Sequence, residues 1–365
     1  MATNLAAMQR VTYSRNFTIS LSRTCRCFCK YCAFATHQPH LRGPAEVENL
    51  LGVAERQRAK ELLVLTGEAP DENPKVLEQL NAAGHEDFIS YVIWVCERSL
   101  ERGILPHTNL GVLDRDELSR LREVTASQGL MLESTAERLM ETVHAGSPTK
   151  HPAKRLETMR LAGELQIPFT TGLLFGIGET ASERIDGLEA IAALHAQYGH
   201  IQEVILQNFV PHQRYHGQDV GAIATDAADE LWRTGMRADG EAAETNAMPA
   251  WASPVSVDDM RELIVTARQL MPDVGIQVPP NLADWWPELV RAGATDLGGL
   301  SANGDHISPE LPFPSPKQVG DRLAQDGVAI AERLCVYPQY INEQWQAPAV
   351  LDTIRSRYWT FIPRG

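Results

Sequence analysis

The chain has 365 residues, 44% of them hydrophobic, and a formal net charge of −14 at neutral pH. This length and composition allow a large buried core, and barrels of this size are commonly single domains. The negative charge opposes the phosphate neutralisation on which nucleic-acid binding depends, so we expect a small-molecule substrate and no nucleic-acid partner. A membrane-spanning helix needs an apolar stretch of about 18 residues. No stretch of the sequence is that long, so we expect no membrane association. Reduced cysteines and the lack of a targeting segment after Met1 predict a cytoplasmic protein.

Short apolar runs typical of strands alternate with helix-like stretches along the chain. The predicted strands are residues 17–21, 61–65, 105–109, 130–133, 169–175, 204–209, 275–278 and 295–300. Strands that alternate with helices indicate a parallel sheet, and eight such units predict an α/β protein with a closed, TIM-like (β/α)8 barrel. In such a barrel the chemistry lies at the C-terminal ends of the strands.

Two segments do not follow this alternation. Residues 210–253 are rich in Ala, Asp, Glu and Gly, and we expect a helix and a mobile loop there. The proline-rich tail after residue 309 is predicted to be an extended cover that ends in a helix over residues 316–333. The chain is therefore divided into a barrel, residues 1–310, and a C-terminal extension that packs on the barrel, residues 311–365.

A loop directly after the first predicted strand contains Cys25, Cys29 and Cys32 with the spacing Cys-x3-Cys-x2-Cys. Three thiolates this close together hold one compact metal centre. A four-iron cluster normally takes four cysteine ligands, so a set of three leaves one iron open to another ligand. The remaining cysteines do not fit the spacing and are interpreted as non-ligands: Cys27, Cys96 and Cys335.

Two other uses of these cysteines, a zinc site and a disulfide framework, fit the sequence less well. A structural zinc site needs a second ligand pair about a dozen residues further on, and His37 and His40 follow Cys32 too soon for that. A disulfide framework is typical of small, secreted, cysteine-dense chains, which does not describe 6 cysteines in 365 residues.

Two strand ends contain glycine. Thr66-Gly67-Glu68 closes the second strand, where glycine allows close backbone approach and the carboxylate suits a ligand ammonium group. The fifth strand runs into a glycine-rich turn over residues 172–180, which includes Gly176 and Ile177. No Lys-Ser/Thr pair follows these glycines, so a nucleoside triphosphate loop is excluded and a flat floor for an adenine is favoured. Ordinary turn chemistry is the alternative for both segments.

Polar side chains mark the ends of the other predicted strands. They are His107, Asn109, Glu133, Ser134, Gln207, Asn208 and Asn281. Buried polar groups need partners, so each alone is explained by a satisfied core or capping group, whereas together they indicate a shared polar pocket. Arg155 either binds a carboxylate bidentately or is a solvated helix residue.

The pattern Cys-x3-Cys-x-aromatic-Cys, with Tyr31 as the aromatic, resembles the signature of the radical S-adenosylmethionine (SAM) superfamily. The Thr66-Gly67-Glu68 and 172–180 segments resemble its SAM-binding motifs. Further segments resemble the cyclising subunit of the 7,8-didemethyl-8-hydroxy-5-deazariboflavin (FO) synthases: residues 11–16, 144–148, 167–172, 198–209, 278–282 and 298–314. Two departures are Thr66, where this family often has glycine, and the additional thiol of Cys27.

This resemblance implies a [4Fe–4S] cluster on Cys25, Cys29 and Cys32, with SAM on the open iron as the source of a 5′-deoxyadenosyl radical. The implied substrate is 5-amino-5-(4-hydroxybenzyl)-6-(D-ribitylimino)-5,6-dihydrouracil, which would cyclise with loss of ammonia to FO, the precursor of coenzyme F420. The implied partners are a tyrosine-adding radical SAM enzyme that supplies this adduct and reduced ferredoxin or flavodoxin as electron donor.

The resemblance also implies roles for the residues above. Glu68 and the backbone around it would hold the SAM ammonium group, Tyr31 would lie near the adenine, and Arg155 would pair with the SAM carboxylate. The full expected cofactor site is Tyr31, Thr66, Gly67, Glu68, Glu133, Arg155, Gly176 and Ile177. The expected substrate-binding residues are His107, Asn109, Gln207, Asn208 and Asn281. No catalytic proton-transfer residue is assigned.

Three alternatives remain open at this point. A sibling radical SAM enzyme, such as the tyrosine-adding partner or a menaquinone-pathway or biotin-synthase-like enzyme, would share the cluster loop and differ in its pocket. A zinc-dependent barrel lyase or hydrolase would contain zinc and no iron. A non-enzymatic binding protein would not cleave SAM.

Overall fold

A computed structural model of the chain describes residues 9–211, 248–308 and 311–362. Within these residues, ten parallel strands form one sheet in the order β10-β1-β9-β8-β7-β6-β5-β4-β3-β2. The strands are β1 Arg10–Ser14, β2 Asn16–Ser22, β3 Glu61–Thr66, β4 Leu105–Asn109, β5 Ser127–Gly129, β6 Phe169–Phe175, β7 Ile201–Asn208, β8 Gly275–Gln277, β9 Asp296–Gly299 and β10 Ala329–Arg333.

Helices connect most of these strands and cover the outer face of the sheet. They are α1 Pro44–Arg56, α2 Pro74–Ala82, α3 Phe88–Glu101, α4 Arg115–Arg122, α5 Pro152–Glu164, α6 Ala181–Tyr198, α7 Val257–Leu270, α8 Trp286–Ala292, α9 Pro316–Ala324 and α10 Pro348–Arg357. The apolar face of α1 illustrates the packing, because Val47, Leu51 and Ala54 recur at helical spacing and are buried. Capping boxes begin several helices, including α6 at Thr180.

The sheet curls because its first two strands are nearly continuous in the chain. One residue separates β1 from β2, yet β1 pairs with β9 and β10 whereas β2 pairs with β3. The two flanks of the sheet therefore meet at Arg15, and the strands surround an interior. The predicted α/β fold with a parallel sheet is confirmed. The described strands number ten and form a curled sheet that is not hydrogen-bonded between its edges β2 and β10, where the sequence predicted a closed barrel of eight.

The predicted strand over residues 130–133 is displaced. The ladder is made instead by β5, Ser127–Gly129, and only Glu133 of the predicted segment forms a bridge, with Leu173. This strand was not predicted from the sequence because its Ser, Gln and Gly residues are polar or small, although all three are buried.

The predicted helix over residues 316–333 is wrong in its second half. Helix α9 ends at Ala324, and Gly327, at a φ of 72°, turns the chain into β10. A positive φ of this kind suits glycine and ends a helix. The segment then returns to the sheet and pairs with β1 over five residues, from Arg10 with Ala329 to Ser14 with Arg333.

Two further predictions, the division of the chain and the structure of residues 210–253, are not tested by the described residues. The division of the chain at residue 310 stays a prediction. The helix and mobile loop expected within residues 210–253 fall largely on residues 212–247, outside the described residues. Among the helices that the structure describes, none combines the length and apolarity needed to cross a bilayer.

Candidate active site

The curled sheet encloses a cavity of about 370 Å³. Alternate residues of several strands face it, as Glu61, Leu63 and Leu65 do on β3, because successive side chains of a strand point to opposite faces. The predicted site residues that line the cavity are Cys25, Cys29, Tyr31, Cys32, Thr66, Gly67, Glu68, His107, Asn109, Glu133, Arg155, Gln207, Asn208 and Asn281. Residues that are distant in sequence thus share one pocket.

The three signature cysteines lie together at one end of this cavity, which we call the cysteine end. Cys25 and Cys29 are buried there. Backbone N–H groups are directed at their sulfur atoms. The N–H of Glu68 donates to Cys25 Sγ over 3.3 Å, and the N–H of Ala35 donates to Cys32 Sγ over 3.3 Å. Such donors tune an iron–sulfur centre bound to these sulfur atoms.

Gly67 is required where β3 meets the cysteine loop. A Cβ atom at this position would lie 2.2 Å from the carbonyl oxygen of Thr24 and 2.7 Å from Cys25 Cβ. Nearby, the N–H of Arg26 donates to the carbonyl oxygen of Glu68 over 2.9 Å. The end of β3 and the cysteine loop are therefore fastened together by direct backbone contact.

Arg155 and Glu68 form a buried ion pair beside the cysteines, with Arg155 only 1% exposed. The solvated helix arginine considered from the sequence is thus ruled out. Arg155 Nη1 also donates to the carbonyl oxygen of Met131 over 2.6 Å. Burial raises the pKa of Glu68, but the cations of Arg155 and Lys150 outweigh it and hold that pKa below its usual value. Glu68 is therefore a carboxylate at neutral pH.

Two polar atoms of this ion pair have no hydrogen-bond partner within the described part of the chain. They are Glu68 Oε2 and Arg155 Nε, and both are buried. Buried polar atoms are nearly always paired, with protein or with a bound molecule. An acceptor and a donor side by side fit the ammonium and carboxylate of an amino acid.

Lys150 was missed by sequence reasoning, although it follows the 144–148 segment by two residues. Its ammonium donates to Glu133 Oε1 over 2.7 Å and lies 5.7 Å from the centre of the Tyr31 ring. Glu133 has a φ of 66°, which is uncommon for a residue other than glycine and recurs at functional sites. Tyr31 is fixed in turn by a 3.2 Å hydrogen bond between its hydroxyl and His144 Nε2.

His107 stays neutral in the cavity. Burial, assisted by the positive charge of Arg333, lowers the pKa of His107 from 6.5 to about 4. Its Nδ1 atom lies 2.7 Å from Ser127 Oγ. A neutral imidazole carries one donor and one acceptor, which suits hydrogen bonding to an uncharged ligand.

Asn281 belongs to the cover of the cavity. Its Nδ2 atom donates to Asp305 Oδ2 and to the carbonyl oxygen of Leu311, each over 2.8 Å, whereas Oδ1 has no partner among the described residues.

Gly176 and Ile177 are not among the cavity-lining residues. Their backbone N–H groups donate to the carboxylate of Glu179 over 2.8 and 2.9 Å, and Glu179 pairs with Arg184. The turn is thus closed by its own carboxylate, and the role of these two residues in cofactor binding stays a prediction.

The far end of the cavity is polar as well, which sequence reasoning missed. Its lining residues there are Asn16, Glu61, Glu203 and Arg333. Glu61 and Glu203 lie in strands whose other residues are largely apolar, and this contrast was the available signal. Arg333 gave no such signal, because the segment that forms β10 was predicted to be helical.

Comparison with known proteins places this chain in a family. The sequence profile of the Radical SAM superfamily matches residues 19–191. The FO synthase of Methanocaldococcus jannaschii is 38% identical, over 98% of this chain and 92% of that protein. The FO synthase of Methanosphaerula palustris is 40% identical, over 95% of each. The chain belongs to the FO synthase family.

Solved structures of other proteins share the fold of this FO synthase family member. The maturase HydG of Carboxydothermus hydrogenoformans superposes with a TM-score of 0.63 at 18% identity, over 96% of this chain and 75% of that chain. Methylornithine synthase gives 0.59 at 17% identity, over 88% and 84%. At these identities the likeness concerns the fold alone.

Family membership establishes a radical SAM enzyme that uses a [4Fe–4S] cluster and SAM, and it decides against the zinc enzyme and the non-enzymatic binding protein. The described residues contain no group of three or more His, Cys, Asp or Glu side chains arranged for a single metal ion. The fit to the cofactors rests on three thiols from one loop, the N–H donors directed at them, and the unpaired Glu68 and Arg155 atoms beside them.

Proposed function

We propose that this protein forms FO from 5-amino-5-(4-hydroxybenzyl)-6-(D-ribitylimino)-5,6-dihydrouracil, with loss of ammonia and a two-electron oxidation. SAM is the oxidant, because its cleavage to methionine and 5′-deoxyadenosine takes up the two electrons. The observation that carries the proposal is the identity of 38 to 40% with FO synthases over at least 95% of this chain. The enclosed cavity, with thiols at one end and polar side chains along its length, supports it.

Cys25, Cys29 and Cys32 hold the cluster in this proposal. When bound, the reduced cluster and SAM supply a 5′-deoxyadenosyl radical that abstracts hydrogen from the adduct. Glu68 accepts hydrogen bonds from the SAM ammonium group through Oε2, its unpaired oxygen. Arg155 keeps Glu68 ionised and offers Nε to the SAM carboxylate.

The surrounding charges orient the reactants. The Lys150–Glu133 ion pair is buried beside Tyr31, so the adenine side of the cavity is walled by a neutralised pair and an aromatic ring. The curled sheet around the cavity limits the access of water, which reduces loss of the radical to solvent.

The substrate contacts are proposed for the strand residues. His107 as a neutral imidazole, with the amides of Asn109, Gln207 and Asn208, provides donors and acceptors for the carbonyl and imino groups of the dihydrouracil. Asn281 offers Oδ1 from the cover.

The proposal extends to partners and location. A tyrosine-adding radical SAM enzyme supplies the adduct, reduced ferredoxin or flavodoxin supplies the electron, and the reaction takes place in the cytoplasm. The chemistry of the reaction supports the two partners, because the adduct is the product of another radical SAM enzyme and the cluster must be reduced. The free cysteines support the location.

The test is an anaerobic incubation of the iron-reconstituted, dithionite-reduced protein with SAM and the adduct, analysed by mass spectrometry. We expect 5′-deoxyadenosine and FO together. Deoxyadenosine without FO would indicate that the protein acts on the substrate of a sibling radical SAM enzyme. Absence of both products, from protein with a full iron complement, would contradict the proposal.

Arg155→Ala provides an internal check on the cofactor assignment. We expect weaker SAM binding in an anaerobic titration, and unchanged affinity would remove Arg155 from the SAM site.

A further inference from the structure

The cavity extends well beyond the space that the cysteine loop and the Glu68–Arg155 pair border. Along β3 the lining residues run from Glu61 through Leu63 to Leu65, and Thr66 then enters the SAM motif. Five residues of strand correspond to about 17 Å. On β7 the lining series is Glu203, Ile205 and Gln207. In both strands a carboxyl group lies at the far end and an aliphatic side chain follows it.

These carboxyl groups belong to one buried polar cluster, which we call the floor: Ser14, Asn16, Glu61, Glu203, Asp296 and Arg333. Arg333 Nη2 donates to Glu203 Oε1 over 2.5 Å, and Arg333 Nε donates to Asp296 Oδ2 over 2.5 Å. Ser14 Oγ donates to Glu61. The floor joins β1, β2, β3, β7, β9 and β10.

The floor retains hydrogen-bonding capacity on its cavity side. Asn16 is 3% exposed and lines the cavity, yet its Oδ1 atom has no partner among the described residues. Glu203 Oε2 is approached by Thr170 Oγ1 at the long distance of 3.4 Å. A buried amide oxygen without a partner points to a bound molecule that supplies a donor.

The charge of the floor restricts what binds there. Arg333 is its one cation, and three carboxyl groups, from Glu61, Glu203 and Asp296, surround it. Burial raises the pKa of both Glu61 and Glu203, although Arg333 opposes the shift in each case. A protonated carboxyl group both donates and accepts, whereas surplus carboxylates repel anions.

A polyhydroxylated chain matches these properties. Each hydroxyl donates one hydrogen bond and also accepts, so it can donate to the oxygens of Asn16, Glu61 and Glu203, which line the cavity. The ribityl chain has four hydroxyls, whereas the hydroxybenzyl group has one and is otherwise apolar. A phosphorylated chain is disfavoured because the cation of the floor is already paired with two carboxyl groups.

We propose that Asn16, Glu61 and Glu203 form the subsite for the ribityl chain and select an uncharged polyol there. This inference rests on the proposed function and adds where the substrate tail lies. With the tail at the floor, the dihydrouracil ring lies beside Leu63 and Ile205, and the reacting carbon faces the cysteine end.

The test compares three adducts with the iron-loaded enzyme: the ribityl adduct, its 5-phosphate, and an analogue with methyl in place of ribityl. For the unsubstituted enzyme we expect a KM at least about tenfold higher for the phosphate and for the methyl analogue. Equal KM values for all three, with FO formed from the ribityl adduct, would overturn the subsite and leave the proposed function standing.

Glu61→Leu removes both hydrogen-bonding atoms while keeping bulk. We expect about a tenfold rise in KM for the ribityl adduct, no change for the methyl analogue, and a smaller rise in Glu61→Gln, which retains a donor and an acceptor. Tyr337→Phe is the matched control. The Tyr337 hydroxyl donates to Asp296 and Glu203, but Tyr337 does not line the cavity. If the role of Glu61 were purely structural, both variants would raise the KM for the ribityl adduct equally.

The outcomes separate the two proposals. Equal KM changes in Glu61→Leu and Tyr337→Phe, or equal changes for the ribityl adduct and the methyl analogue, would overturn the subsite. Failure of the unsubstituted, SAM-cleaving enzyme to convert any adduct would overturn the proposed function and the subsite with it. The comparison of adducts on the unsubstituted enzyme needs no variant to fold.

Discussion

Arg155 illustrates what a single position reveals from sequence and what it does not. The sequence left a carboxylate clamp and a solvated helix residue as alternatives, because an arginine on an amphipathic helix fits both. The structure buries it against Glu68 since α5 turns this face toward the cavity. A buried arginine keeps its charge, so it needs an anion, and Glu68 provides it.

The three signature cysteines and Cys27 are predicted to behave differently. Alanine at Cys25, Cys29 or Cys32 is expected to abolish most cluster binding, because each removes one of three ligands. Cys27→Ala is the matched control in the same loop, where the thiol contacts Thr149 Oγ1 at 2.9 Å. Iron and sulfide content after anaerobic reconstitution measures the effect. A loss of iron in Cys27→Ala equal to that of the others would show that Cys27 is a ligand.

His107 is predicted to make stability depend on pH. Its pKa is lowered from 6.5 to about 4 in the folded protein, so below pH 6.5 the unfolded chain takes up a proton that the folded chain does not. The stabilisation is full above pH 6.5 and is lost as pH falls toward 4. The total is about 3 kcal/mol.

Urea unfolding of the cluster-free protein and of His107→Gln measures this effect. The free energy of unfolding of the variant should fall less between pH 6.5 and 4. Above pH 7.5 the difference between the two proteins should be independent of pH, which is the internal control. Parallel curves over the whole range would contradict a lowered pKa.

At the scale of elements, the junction of β3 with the cysteine loop determines the cluster site. The motif Thr66-Gly67-Glu68 was recognisable in sequence, and the structure adds the reason for the glycine, which is contact with Thr24 and Cys25. The strand supplies the N–H donor to Cys25 and the carboxylate beside it. One strand end thus positions both Cys25, the predicted sulfur ligand, and Glu68, the proposed SAM-binding group.

Gly67→Ala is predicted to displace this junction. Its Cβ would meet backbone at 2.2 Å, which side-chain motion cannot relieve, so Cys25 must move. We expect reduced iron content with the fold retained, measured by iron analysis and circular dichroism. Gly43→Ala is the control, because a Cβ there meets nothing within 4 Å and its φ of −74° suits alanine. Full iron loading in Gly67→Ala would contradict this account of the junction.

At the scale of the whole molecule, the C-terminal segment contributes to the sheet that surrounds the site. β10 pairs with β1, and Arg333 at its end neutralises Glu203 and Asp296. Sequence reasoning found the helix of this segment but missed the strand, because pairing with β1 involves residues more than 300 positions away.

A chain that ends at residue 308 is therefore predicted not to fold stably. It would lose β10 and leave the buried carboxyl groups of Glu203 and Asp296 without their cation, at a cost of about 3–5 kcal/mol from the charges alone. Typical total stabilities are about 5–15 kcal/mol. Soluble yield and cooperativity of urea unfolding are the measurements, with a chain ending at residue 362 as control. A cooperative transition at the full-length midpoint would support a separate domain after residue 310.

The sequence by itself predicted the cluster ligands and determined the alternation of strands and helices and the family. Each of these is a local pattern, since ligand spacing and hydrophobic periodicity are properties of short segments. Tertiary structure decided the Glu68–Arg155 pair, the place of Lys150, and the floor formed by Glu61, Glu203 and Arg333. These depend on the curl of the sheet, which brings its two flanks together at Arg15 and gives buried charges their partners.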